Sequence, residues 1–98
     1  MLQDAELPTL AHATDDNRKR AYADATLRRD RQMQSLDETR AARIVKITRD
    51  YDLARDSGRS HRRDRAMRHL ARTYERRSLR IRAQWITATA AADAAWRP

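Results

Sequence analysis

The chain has 98 residues, with one Gly, two Pro, no Cys and no Phe; 37% of it is charged and its net charge is +8. That length supports a single small domain at most. The scarcity of Gly, Pro and aromatic residues argues against turn-rich sheets, and the absence of Cys excludes disulfides and thiolate metal sites.

Residues 1–13 read as an N-terminal lead-in interrupted by Pro8, because proline breaks the interior of a helix. This end is acidic and lacks the basic and apolar regions of a signal peptide, which points to a protein that is cytoplasmic or packaged in a particle, not secreted. Thr14 followed by Asp15 and Asp16 is a helix start: a hydroxyl for the free N–H groups, and carboxylates at the positive end of the dipole. The expected elements are a helix over 14–56, a turn over 57–60 (Ser57-Gly58-Arg59-Ser60) and a helix over 61–96. Together they form one helical-hairpin domain, 14–98. The longest weakly apolar run, Ala83 to Trp96, is too short to span a bilayer, so no membrane partner is expected.

Both helices repeat every eleven residues. On the first, Tyr22, Met33 and Ile44 share one line, as do Ala25, Leu36 and Ile47, with Tyr51 continuing the face. On the second, Leu70, Ile81 and Ala92 share a line, as do Tyr74, Trp85 and Trp96, with Met67 beside them. Eleven residues in three turns stays close to the free helix period, so the stripes run almost straight. Folding at Gly58 sets Ile47 against Leu70 or Ala71, Ile44 against Tyr74, Leu36 against Ile81, Met33 against Trp85 and Tyr22 near Ala95. The fold class is therefore all-α, an antiparallel two-helix hairpin, coiled-coil-like with near-hendecad spacing. Two helices bury little, and a second stripe of Ala23, Leu27, Ala41 and Val45 is the expected self-association face. It would complete a four-helix bundle by homo-oligomer formation or by docking on a partner.

The charge is concentrated. Residues 59–82 hold ten arginines against Asp64 and Glu75, and this segment alone carries +8. Within it Arg62, Arg65, Arg72, Arg76 and Arg80 recur at helical steps opposite the apolar face, with Arg68 on their border. Guanidinium forks bind phosphate and carboxylate in a bidentate manner, which marks these six as the binding surface for nucleic acid or an acidic protein partner. Arg29 and Arg40 fall on the apolar stripe of the first helix and Arg77 flanks that of the second, where internal pairing, snorkelling stems or contact with a partner accommodates them.

The segment Leu53-Ala54-Arg55-Asp56-Ser57-Gly58-Arg59-Ser60 resembles the turn of DNA-binding helix-turn-helix proteins. It departs from them at Arg59 and Asp64, where that motif carries apolar residues, and the helix before it is far too long. The hairpin turn accounts for it better.

His12, His61 and His69 are scattered, and no phosphate loop or nucleophile–base spacing appears. Hence no enzyme activity, cofactor, metal or small-molecule substrate is expected. The function read from these residues is a non-enzymatic helical hairpin that binds RNA or DNA backbone through an arginine-lined helix. The alternative is a small adaptor, inhibitor or particle component, of phage or mobile-element type, whose arginines dock on an acidic protein.

Overall fold

The computed structural model describes residues 2–53 and 59–96, with side chains described over 15–51 and 60–96. Two helices account for them: α1, Leu2–Leu53, and α2, Arg59–Ala95. No strand occurs among the described residues. The helices pair as a hairpin, as the matched stripes predict. Ala and Arg, both strong helix formers, are the commonest residues of α2 and, with Asp, of α1. Hydroxyl residues inside the helices turn their donors back on the preceding turn: Thr39 to Ser35 O at 2.9 Å and Thr73 to His69 O at 3.0 Å.

The element bounds differ from those expected. α1 begins at Leu2 and runs through Pro8, so Thr14 is interior to it. Arg59 and Ser60 open α2, so only Ser57 and Gly58 of the expected turn remain between the helices, and both lie outside the described residues. At its far end α2 closes with the Trp96 amide shared between Ala92 O and Asp93 O, both at 3.2 Å.

Contacts divide the chain into two units. The first joins Met1–Asp30 to Arg82–Pro98. Ala25 and Thr89 are buried there. Thr89 is tolerated inside because its hydroxyl bonds Trp85 O at 2.9 Å and Ile86 O at 3.1 Å. Trp85 donates its indole N–H to Thr26 Oγ1 at 3.1 Å, while the Arg29 guanidinium lies over the Trp85 ring, 4.8 Å from its centre. Nearer the helix end, Arg18 lies over Trp96 at 4.5 Å and beside Tyr22 at 5.9 Å. Asp93 gathers this cluster, accepting from the Tyr22 hydroxyl at 2.6 Å and pairing with Arg18 at 3.2 Å.

The second unit is Arg31–Ile81. Leu36 is buried in it, and Met33, Ile47, Tyr51, Met67, Leu70, Tyr74 and Ile81 are half-buried. Tyr74 donates to Asp37 Oδ1 at 2.7 Å, and the Arg40 guanidinium covers its ring at 4.1 Å. Of the residues that the eleven-residue rhythm selects in this unit, all but Ile44 line the packed stripes.

The register differs from a match of apolar to apolar. Tyr74 makes its polar contacts with Asp37 and Arg40, and Trp85 with Thr26 and Arg29. The expected partners, Ile44 and Met33, lie one turn further along α1. Tyr22 likewise reaches Asp93 instead of Ala95. The reason is chemical. Tyrosine and tryptophan each have a polar tip that needs a partner and a ring face that attracts a cation. Satisfying both sets the alignment. In consequence Ile44 is left 39% exposed.

Candidate functional site

The arginine row lies on α2, from Arg62 to Arg80, all within the Arg31–Ile81 unit. Arg62, Arg65, Arg68, Arg72, Arg76 and Arg80 are each exposed. Steps of three and four residues keep them on one broad face, and a rise of 1.5 Å per residue makes that face about 27 Å long. Met67, Leu70, Tyr74 and Ile81 occupy the other side of the helix, half-buried against α1.

Among the described residues, the partners of this row are few. Arg62 and Arg63 are engaged in interactions of their own. Among the described residues, Arg65, Arg68, Arg72, Arg76 and Arg80 are joined to no carboxylate; ion pairs elsewhere include Arg18–Asp93, Lys19–Asp15, Arg29–Asp30 and Arg49–Asp50. Asp64 and Glu75, the acids of the segment, are themselves exposed. Five guanidinium groups within a few turns of one helix make a region of concentrated positive potential.

The face carries little besides charge. His61 and His69 are exposed between the arginines, and Leu79 is an exposed apolar neighbour. No Asn or Gln occurs from Arg59 to Arg82, which removes the side chains that pair with adenine edges. The aromatic rings that stack on single-stranded bases are engaged elsewhere: Tyr74 lies under Arg40, Trp85 under Arg29 and Trp96 under Arg18.

Arg29 and Arg40, expected on the apolar stripe, are there and cap aromatic rings; Arg77 is exposed. The sequence reading missed Arg18 as the third of this series and missed Thr26, Asp37 and Asp93 as the polar partners. The signal was present in the same rhythm. Arg18, Arg29 and Arg40 stand eleven apart, and so do their partners Trp96, Trp85 and Tyr74. The residues of the second stripe, Ala23, Leu27, Ala41 and Val45, are all exposed. Among the described residues no three His, Asp or Glu side chains gather as a metal site would require, and no helix is long and apolar enough to cross a membrane.

Two phenols are perturbed. A hydrogen bond to Asp93 raises Tyr22, and one to Asp37 raises Tyr74, with burial and the nearby negative charge adding to each and the neighbouring arginine opposing.

No protein-family model, curated protein or solved structure matches this chain.

Proposed function

We propose that the protein is a non-enzymatic binder of nucleic-acid backbone, RNA or DNA, and that Arg62, Arg65, Arg68, Arg72, Arg76 and Arg80 contact successive phosphates. The observation that carries this reading is the exposure of all six, five of them without a carboxylate partner among the described residues. A solvated structural face would neutralise part of that charge with facing acids; among the described residues Asp15, Asp30, Asp50 and Asp93 pair with cations outside this row, and Asp64 and Glu75 pair with none of these five arginines. The lack of Asn and Gln on the segment, and the engagement of its one aromatic ring, Tyr74, with α1, favour phosphate contact over base readout.

The test is a salt titration of binding to a generic duplex, a single strand and an RNA hairpin. The logarithm of affinity should fall linearly with the logarithm of salt, because bound arginines release phosphate counterions. Sequences of equal length and form should bind about equally. Absence of binding to all three at ~50 mM salt, where counterion release favours association most, would end this reading and leave an acidic protein as the partner.

A further inference from the structure

We infer that the Arg31–Ile81 unit carries a self-docking face on α1, formed by Ala41 and Val45 with Ile44 at its edge, and that a second copy of this same face occupies it in an antiparallel pair. The first support is the exposure of apolar side chains. Val45 is 64% exposed and Ile44 is 39% exposed. Ile44 stands beside the half-buried Ile47, so the patch continues the hairpin core outward.

The second support is charge, and it identifies the occupant. Glu38 and Arg49 are eleven residues apart, which is three turns, so they lie on the same flank of the Ala41–Val45 line. A two-fold axis through the middle of that line reverses the helix but keeps its flank. Ala41 then meets the partner's Val45, and Glu38 meets the partner's Arg49, twice over by symmetry. Both charges have room for such a partner. Glu38 is held by Gln34 at 3.2 Å, and Arg49 reaches Asp50 only at 3.9 Å. Ala41, being small, lets two helices approach to the usual 8–10 Å. Ala23 and Leu27, on the same sequence stripe, belong to the other unit.

Sedimentation of the full chain tests this, with helix content followed by circular dichroism. The wild type should be a dimer. Val45→Glu should raise the dissociation constant by roughly a hundredfold, because the interface would bury an uncompensated charge from each copy. Glu38→Arg and Arg49→Glu should each weaken the dimer, and the double variant should restore it by exchanging the signs. A monomeric wild type would overturn the inference. So would an oligomer indifferent to Val45→Glu, or a double charge exchange no tighter than its single components.

Discussion

Two sets of arginines in this chain do opposite things. Arg18, Arg29 and Arg40 lie over the rings of Trp96, Trp85 and Tyr74, and two of them also touch carboxylates. Arg65, Arg68, Arg72, Arg76 and Arg80 stand exposed with no carboxylate among the described residues. The residue type is the same, so the difference comes from what faces it. An arginine opposite an aromatic ring gains a cation–π contact and covers apolar surface with its stem. An arginine opposite water gains neither, and its fork remains available to a partner. Net charge alone hides this division, since both sets count equally towards it.

The comparison breaks first if the outer row proves structural. Replacing Arg72, Arg76 and Arg80 together by Ala should lower affinity for a generic duplex by about a thousandfold near 0.1 M salt, on the order of tenfold per released phosphate contact. The thermal midpoint should stay where it is, because these side chains hold nothing in the fold. Anisotropy titration and a thermal melt of the same sample read both quantities.

An inner-series partner should behave in the reverse way. Trp85→Ala removes a ring that carries both Arg29 and a hydrogen bond to Thr26. It should cost about 3 kcal/mol, the low end for a large aromatic because Trp85 is only half-buried. Denaturant unfolding measures this. A loss below ~0.5 kcal/mol, the size of an ordinary surface substitution, would show that the rings do not hold the hairpin.

Much of this division was legible in the residues, and the rest fails for a definite reason. The eleven-residue rhythm of Leu36, Ile47, Leu70, Ile81 and the aromatics marks the packed face, because burial needs apolar side chains at helical spacing. The same spacing isolates Arg62 to Arg80 as the outer face. What escaped was the alignment between helices. Matching Ile44 to Tyr74 treats tyrosine as a plain apolar residue, yet its hydroxyl selects Asp37 and its ring selects Arg40. Burial of Thr89 escaped too, because its hydroxyl is satisfied by its own helix and leaves no trace in a polarity pattern. The helix start at Leu2 escaped because Pro8 argues for a break that α1 does not make.

A smaller effect sharpens the inner series. In a double-mutant cycle with Arg29→Met and Trp85→Leu, the coupling should be about 0.5–1 kcal/mol, the worth of a partly exposed cation–π pair. A coupling indistinguishable from zero would reduce Arg29 to a stem covering apolar surface.

The smallest effect is the pH response of the phenols. Tyr22 and Tyr74 are held neutral by their bonds to Asp93 and Asp37, so their folded-state values lie above the ordinary 10.0. A raised value favours the protonated form in the folded state. The stability it adds is therefore complete below pH 10 and is lost as pH rises through the raised values. Spectrophotometric titration should show two tyrosines ionising later than in the unfolded chain, and Tyr74→Phe should remove one of them. Ordinary titration of both in the folded protein would contradict the hydrogen bonds.

The most direct test of the division sets Arg29→Met beside Arg72→Met in one experiment, the slope of log affinity against log salt for a generic duplex. The outer substitution should reduce the slope by roughly one unit, the signature of one lost phosphate contact. The inner one should leave it unchanged, because that guanidinium is occupied by Trp85 and Asp30. Equal slopes for both variants, or a larger change from Arg29→Met, would contradict the assignment of the two arginine sets to two roles.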